Sequence, residues 1–128
     1  MILIVDIGNT NITIGLFKGD KLRFKENFPT SKAQGFGVFL RGIAVLKSAV
    51  EAAVICSVGP KATTLIKKAG AGLGHIPIYV LGRGLAVPIK NRYGRPEEVG
   101  QDRLVCAWAA MRLYGAPVIV VDSGTAIT

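Results

Sequence analysis

A short strand-and-turn pattern occurs twice in this sequence, once near each end. Residues 2–10 read ILIVDIGNT and residues 118–125 read VIVVDSGT, so in both copies four apolar residues lead into an Asp-x-Gly turn. A short continuous apolar run predicts a strand buried on both faces, as in parallel sheets. The repeat therefore predicts an α/β chain in which the second copy begins another unit similar to the first.

Between the two copies, the pattern predicts a three-stranded meander followed by alternating helices and strands. Strands are expected at residues 2–5, 11–17, 22–28, 52–58 and 76–81. Helices are expected from Thr30 or Ser31, as caps, to about Val50, from Pro60 through Lys68, and from Pro96 to Gly115. The glycines of residues 70–74 are expected to end the second helix, and residues 82–95 to form a basic loop.

This element order, β-β-β-α-β-α-β-α followed by a new strand, implies a mixed sheet with helices on its faces. Residues 1–115 are expected to form the first domain and residues 116–128 the start of a truncated second domain. In the third helix, Leu104, Trp108 and Met111 recur at helical spacing and are expected to form its buried face.

The composition disfavours several classes of protein. Half of the 128 residues are hydrophobic, yet no apolar run approaches the ~18 residues of a membrane span. The apolar N-terminus has no preceding basic segment, which is unlike a signal peptide, so a cytoplasmic location is expected. The net charge of +8 is scattered without aromatic interleaving, which favours a solvated basic surface over a nucleic-acid site. An anionic small-molecule ligand would account for part of this charge.

The cysteines and the histidine show no pattern typical of a metal site. Cys56 and Cys106 lie far apart in apolar segments, without Cys-x-x-Cys spacing, and are expected to be reduced and buried. His75 is the only histidine and has no partner in the sequence, so we do not expect it to be catalytic.

The Asp-x-Gly turns carry the first chemical signal. Glycine permits close approach of the backbone, successive amides can bind an anion, and Asn9 and Thr10 add side-chain donors. Asp6 can hold a hydrated Mg²⁺ that bridges phosphate oxygens. One such turn is weak evidence because Asp-Gly turns are common in hairpins, but two copies facing each other would clamp the phosphates of a nucleotide. Neither a Walker-type loop nor a three-glycine dinucleotide fingerprint is present.

The segment Gly100-Gln101-Asp102-Arg103 carries the second signal. Asp102 could accept a proton from an attacking alcohol, while Arg103 and the amides at the helix start orient an anionic substrate. From spacing alone, a surface Asp and Arg on an amphipathic helix is the favoured interpretation. Gly100 lies within the predicted helix, where the close approach of a ligand would explain it. Tyr93, in the preceding loop, could close over the substrate or be an ordinary loop aromatic.

Taken together, these segments resemble the type III pantothenate kinases, members of the acetate/sugar kinase, Hsp70 and actin superfamily with a ribonuclease H-like domain. The matching segments are residues 4–11, 56–60, 87–103 and 120–128. The Gly-Gln-Asp-Arg segment after Tyr93 is specific to this type, whereas the Asp-Gly-Thr turns mark only the superfamily.

The resemblance implies transfer of the ATP γ-phosphate to the primary alcohol of pantothenate, the first step towards coenzyme A. It implies nucleotide binding by Asp6, Ile7, Gly8, Asn9, Thr10, Asn11, Ile12, Thr13, Gly124 and Thr125. It implies pantothenate binding by Tyr93, Gly100, Gln101, Asp102 and Arg103, with Asp102 as the catalytic base. Asp6 would lie near Mg²⁺ and Asp122 would help bind K⁺ or ammonium. The resemblance also implies a dimer in which the partner subunit completes the pantothenate pocket.

The sequence departs from the family pattern in two ways. Ser123 stands where many relatives have an aromatic residue, and relatives are about twice as long. The other half would carry the adenosine-binding glycines and the residue that reaches across the dimer, so we expect negligible kinase activity from the 128-residue chain alone. We also expect an exposed apolar edge at residues 118–121. Two alternatives remain open at this point: another small-molecule kinase or phosphatase of the superfamily, and a non-catalytic regulatory or accessory binding module.

Overall fold

The structure is a computed structural model that describes residues 1–43, 50–57, 59, 61–74 and 76–122. Within these ranges the strands are β1 (Ile2–Ile7), β2 (Asn11–Lys18), β3 (Lys21–Pro29), β4 (Ala52–Ser57), β5 (Ile78–Leu81) and β6 (Gly84–Leu85). The α-helices are α1 (Phe36–Ile43), α2 (Lys61–Leu73) and α3 (Gln101–Tyr114). Short 3-10 turns cover Thr30–Gly35 and Pro96–Glu98.

The strands form one mixed sheet in the order β3-β2-β1-β4-β5-β6, which confirms the predicted architecture. β1, β2 and β3 pair in antiparallel fashion, whereas β1, β4, β5 and β6 run parallel. β1 therefore lies where the two halves of the sheet meet. The register places Asp6 of β1 between Thr13 of β2 and Cys56 of β4. Because parallel strands end at the same edge, the turns after β1, β4 and β5 lie together there.

Alternation along β1 assigns its side chains to the two faces of the sheet. Leu3, Val5 and Ile7 are buried on one face, which α1 and α2 cover. The core on this face consists of Leu3, Val5, Ile7, Ile12, Ile14, Leu16, Phe36, Leu40, Ala53, Ile55, Leu65 and Ala69. The rings of Phe28 and Phe36 pack beside it with their centroids 5.8 Å apart. This face supplies the apolar burial that stabilises the sheet.

The two helices on this face approach each other through glycines. A Cβ on Gly72 of α2 would lie 3.1 Å from the carbonyl oxygen of Gly37 in α1, and one on Gly37 would lie 3.3 Å from that of Lys68. The prediction that α2 ends within residues 70–74 is confirmed, since the helix ends at Leu73 and Gly74 follows with φ of 73°, but α2 runs past Lys68 through Gly70 and Gly72. Close backbone packing thus overrides the low helix propensity of glycine.

The segment after β3 also differs from its prediction. Residues Thr30–Gly35 form a 3-10 segment, no side-chain cap is present, and α1 begins only at Phe36. Thr30 is not a helix cap because its hydroxyl bonds elsewhere, to the turn after β1. Residues 44–49 of the predicted helix lie outside the described residues. A further short strand, β6, lies within residues 82–95, which were predicted to be entirely loop.

The opposite face of the sheet is the one that α3 approaches. The predicted apolar face of α3 is only half-buried at Leu104, Trp108 and Met111, and no residue of α3 is fully buried. The reason is a cavity of about 430 Å³ between α3 and the sheet, which Trp108 itself lines. The helix therefore forms one wall of this cavity and does not pack against the sheet as a second hydrophobic core.

The start of the third helix was predicted at Pro96, but α3 begins at Gln101. Pro96–Glu98 makes only a 3-10 turn, and Val99 and Gly100 are extended. Gly100 therefore precedes the helix, and Asp102 lies in the first turn. The carboxylate of Asp102 packs against Gly100, where an added Cβ would collide with Oδ1.

Residues 118–121, predicted to be a strand, form none. Ile119 is 90% exposed and Val121 71% exposed, so the expected exposed apolar segment is present. The segment stays unpaired because no strand in the described part of the chain hydrogen-bonds to it. The division of the chain near residue 115 stays a prediction. No helix among the described residues is long and apolar enough to cross a bilayer.

Candidate active site

The turn between β1 and β2 is closed by its own backbone. The Gly8 amide donates a 2.9 Å hydrogen bond to the carbonyl oxygen of Asn11. A Cβ on Gly8 would lie 3.1 Å from that same oxygen, so the close backbone contact in the turn favours glycine here. The Gly8 amide is thus already bonded, and the exposed tip of the turn is formed by Asn9 and Thr10.

Thr30, which lies outside this turn in the sequence, donates two hydrogen bonds to it, a role that the sequence patterns did not predict. Its hydroxyl donates to the carbonyl oxygen of Gly8 at 3.0 Å, and its amide donates to that of Thr10 at 2.9 Å. The only signal in the sequence is indirect: an antiparallel meander places the end of its third strand beside the start of its second, where the first turn lies.

Asp6 and Asp102 line the same cavity of about 430 Å³, between the sheet and α3. Asp6 is near the end of β1 and faces α3 because its neighbours Val5 and Ile7 face the opposite core. The rest of the lining is mostly apolar: Ile4, Val54, Cys56, Leu81, Leu85, Ala86, Val87, Pro88, Val105, Cys106 and Trp108. Two carboxylates therefore meet in a largely apolar space.

The electrostatics of this cavity disfavour further negative charge. Although part of the Asp6 side chain faces solvent, partial burial raises its pKa, and the charges of Asp102 and Asp122 raise it further. Burial, with the charges of Asp6 and Asp102, raises the pKa of the Cys56 thiol to about 12. Such a cluster of acids favours a bound cation or proton, because either relieves the repulsion.

Asp102 has an oxygen that lacks a hydrogen-bond partner. Its Oδ1 is buried and accepts no hydrogen bond from the described residues. A buried carboxylate oxygen without a partner is costly to leave in that state, so such a group commonly receives a ligand donor, a water or a metal ion. Close packing against Gly100 places this oxygen.

Arg103 and Asp122 line an adjoining cavity of about 440 Å³, and Cys106 borders both cavities. Cys106 is consequently exposed, so the prediction of burial is wrong for it, whereas Cys56 is buried as predicted. Burial and the charge of Asp122 are the two largest causes that raise the pKa of the Cys106 thiol. An exposed guanidinium beside an acid-lined cavity can pair with an anionic substrate at its mouth.

The side chains of two predicted substrate-binding residues, Tyr93 and Gln101, do not line the cavity that contains Asp102. Tyr93 is 59% exposed and lines neither cavity, and its amide is bonded to Oδ1 of Asn91 at 3.0 Å. The side chain of Gln101 packs over Gly82, where a Cβ would lie 3.0 Å from it. The turn after β5 is thus fixed against the start of α3.

The predicted nucleotide-binding residues divide into two groups. The side chains of Ile7 and Ile12 are buried in the core, so only their backbone could meet a ligand. Thr13 donates to Oδ1 of Asn27 at 3.0 Å, while Asn9, Thr10 and Asn11 are exposed. Ser123, Gly124, Thr125 and His75 lie outside the described residues.

Within the described ranges, no three acidic, cysteine or histidine side chains are grouped closely enough to form a metal site. This does not conflict with magnesium, which proteins commonly hold through one or two carboxylates, with waters and substrate phosphates as the remaining ligands. The single carboxylate of Asp6, which lines the cavity and is partly open to solvent, fits that mode of binding.

The structure has a fold relative among small-molecule kinases. A putative N-acetylglucosamine kinase from Porphyromonas gingivalis superposes with a TM-score of 0.51 at 20% identity, over 62% of this chain and 33% of that one. At this identity the likeness supports the mixed-sheet kinase-type fold and nothing more.

Sequence comparison is more specific. Proteins named type III pantothenate kinase from Rubrobacter xylanophilus and Finegoldia magna are each 38% identical to the chain, and one from Geobacillus thermodenitrificans is 33% identical. All three alignments include the whole chain but only 51–52% of the relative, so the chain spans about half the length of these relatives. The family model for type III pantothenate kinase matches residues 2–128. The chain therefore belongs to the type III pantothenate kinase family.

Proposed function

We propose that this chain forms the acceptor-binding and first phosphate-binding part of a pantothenate kinase, which transfers the γ-phosphate of ATP to the primary hydroxyl of pantothenate and yields 4′-phosphopantothenate. The observation that carries the proposal is the buried, unpartnered Oδ1 of Asp102, in the cavity that Asp6 also lines. Family membership supports the choice of substrates.

In this proposal, Asp102 is the catalytic base. Its unpartnered oxygen accepts the proton of the pantothenate hydroxyl as the hydroxyl oxygen attacks the γ-phosphorus, and ADP leaves. Gly100 and Arg103 flank it, and the exposed guanidinium of Arg103 offers donors to the pantothenate carboxylate. Tyr93 and Gln101 line neither cavity in this structure, so their side chains would have to move to contact pantothenate.

The phosphate end of the reaction lies at the end of β1. Asp6 would hold a hydrated Mg²⁺, and the turn at residues 8–11 offers donors to the phosphates. When bound, Mg²⁺ neutralises charge on the phosphate oxygens. Gly124 and Thr125 would contact the nucleotide from the second turn. We include in the proposal a monovalent cation, K⁺ or ammonium, near Asp122, a homodimer that completes the pantothenate pocket, and a cytoplasmic location.

The test is the release of ADP in the presence of ATP and Mg²⁺, with pantothenate compared against a panel of sugars and other primary alcohols, with and without K⁺. It is made on the 128-residue chain and on a protein that joins this chain to the remaining half of the family's length. We expect pantothenate-dependent turnover from the longer protein only. Turnover with a sugar but not pantothenate would favour another kinase of the superfamily. No turnover with any acceptor would favour a non-catalytic binding module.

A further inference from the structure

The turn after β1 is held by a residue far along the chain. Thr30 lies at the end of β3, beyond two strands, yet both its hydroxyl and its amide donate to the turn. The acceptors are the carbonyl oxygens of Gly8 and Thr10, at 3.0 and 2.9 Å. The hydroxyl bond is partly buried, so water competes with it less than it would at the surface.

The hydroxyl bond fixes the direction of a peptide plane. In a planar trans peptide the N–H points opposite to the C=O, and the bond between Gly8 and Asn9 is trans. Because the Gly8 carbonyl points at Thr30, the Asn9 amide is directed away from Thr30. The segment that begins at Thr30 leads into α1, which covers the face opposite α3. The Asn9 amide therefore lies on the side of this peptide plane that Thr30 does not occupy.

From this geometry we propose that Thr30 is a positioning residue, which holds the turn at residues 8–11 so that the Asn9 amide is available to a phosphate oxygen. The proposal rests on the proposed kinase function for the identity of the anion. Thr30 itself does not touch the phosphate in this arrangement. Its hydroxyl acts through the Gly8 carbonyl, and its amide through that of Thr10.

The proposed positioning of the turn depends on the hydroxyl of residue 30 and not on the size of its side chain. Thr30→Val keeps the shape and removes the donor, Thr30→Ala removes the donor with less bulk, and Thr30→Ser restores it. Ser31→Ala is the matched control, since Ser31 is adjacent and exposed and its side chain makes no hydrogen bond to the described residues. None of the four changes removes the backbone bond from residue 30 to Thr10.

The first measurement follows the amides of Gly8 and Asn9 by nitrogen-15 NMR and hydrogen exchange in the unliganded 128-residue chain. In Thr30→Val and Thr30→Ala we expect the Gly8 amide to exchange about tenfold faster, in line with the loss of one hydrogen bond, and the Asn9 nitrogen resonance to move. Thr30→Ser and Ser31→Ala should match the wild type, as should amides of β4 in all variants. If the Gly8 and Asn9 amides are unchanged in folded Thr30→Val or Thr30→Ala, the proposal is wrong.

The second measurement titrates the same proteins with magnesium tripolyphosphate and MgATP. We expect tripolyphosphate to move the Asn9 amide of the wild type and to bind Thr30→Val about five- to tenfold more weakly, with recovery in Thr30→Ser. Equal affinity of Thr30→Val and wild type would overturn the phosphate role of Thr30. A wild type that binds neither compound, with the exchange result as expected, overturns the phosphate role of Thr30 and supports only the anchoring of the turn, whereas the proposed function is tested separately by turnover of the longer protein.

Kinetics of the longer protein separate this role from a general loss of stability. Thr30→Val should raise KM for ATP about five- to tenfold and leave KM for pantothenate within twofold of the wild type. A parallel rise in both KM values would contradict a role confined to the phosphate turn.

Discussion

Asp6 of β1 and Asp102 of α3 line one cavity, and the charge of Asp102 adds to the partial burial that raises the pKa of Asp6. A pair of acids that repel each other in the folded protein lowers the free energy of unfolding whenever both are ionised. The carboxylates of the site therefore lower the stability of the unliganded protein, as expected of a site that binds a cation.

The first prediction concerns Asp6 and pH. Because its pKa is raised in the folded state, the folded protein binds more protons than the unfolded chain between the ordinary value of 3.8 and the raised value. The contribution of Asp6 to the free energy of unfolding should thus fall as pH rises through that interval. Asp6→Asn should remove this contribution and be more stable at neutral pH. Urea denaturation across a pH series measures it.

Asp20→Asn is the control for that experiment, because Asp20 is exposed in the turn between β2 and β3. It removes the same formal charge from a place remote in sequence from the cavity. If Asp6→Asn and Asp20→Asn altered the pH dependence equally, the effect would belong to net charge and not to the site.

The second prediction concerns Asp102 in the longer protein. Asp102→Asn keeps the size of the side chain but removes the base, so kcat should fall by ~100-fold or more while ATP binding stays near that of the wild type. Pre-steady-state turnover together with nucleotide titration separates the two. An unchanged kcat would show that Asp102 is not the base.

The third prediction concerns Gly100. A methyl group there collides with Oδ1 of Asp102, while the backbone at residue 100, with φ of −61°, accepts alanine. Gly100→Ala should therefore displace the carboxylate and lower kcat/KM by about 100-fold with little change in stability. Gly94→Ala is the matched control, since no described atom lies within 4 Å of its Cβ position. Similar activity of the two variants would argue against the placement of Asp102 by Gly100.

The fourth prediction concerns the contact between α1 and α2. Gly72→Ala places a methyl group 3.1 Å from the carbonyl oxygen of Gly37, and it should lower the free energy of unfolding by about 1–3 kcal/mol. Gly42→Ala, at a position in α1 with no described atom within 4 Å, should raise it by about 0.5–1 kcal/mol. Denaturant titration compares them, and the same sign for both would contradict the close packing.

The fifth prediction concerns thiol chemistry. Cys106 is exposed and Cys56 is buried, with a pKa raised to about 12, so iodoacetamide should modify Cys106 first. Because the pKa of Cys106 is also raised, the rate should keep increasing with pH beyond the ordinary value of 9.0. Peptide mass spectrometry after timed labelling assigns the modified residue. Equal labelling of Cys56 in the folded protein would contradict its burial.

The sequence predicted those parts of the fold that depend on local patterns. The apolar run of β1 and the alternation of β2 predicted the central strands because burial on a sheet imposes these periods directly. The carboxylates of Asp6 and Asp102 were chosen for their chemistry, and the structure places them on one cavity. The roles given to the individual residues stay predictions.

The features that were missed depend on contacts between distant segments. The bond from Thr30 to Gly8 joins residues 22 positions apart, and nothing near Thr30 in the sequence distinguishes it from a helix cap. The glycines of α2 were interpreted as helix breakers because propensity is local, whereas Gly72 packs on α1. Residues 118–121 have a strand-like sequence, yet a strand also requires a partner.

The order of strands has a consequence for synthesis of the chain. The meander of β1, β2 and β3 is complete in sequence by Pro29, but its apolar face is covered by α1 and α2, and α2 ends at Leu73. A nascent chain thus carries a three-stranded sheet with Leu3 and Val5 uncovered while some forty further residues are translated, at about 5–20 residues per second. For several seconds of synthesis, the apolar face of these strands therefore lacks the two helices that bury it in the folded chain.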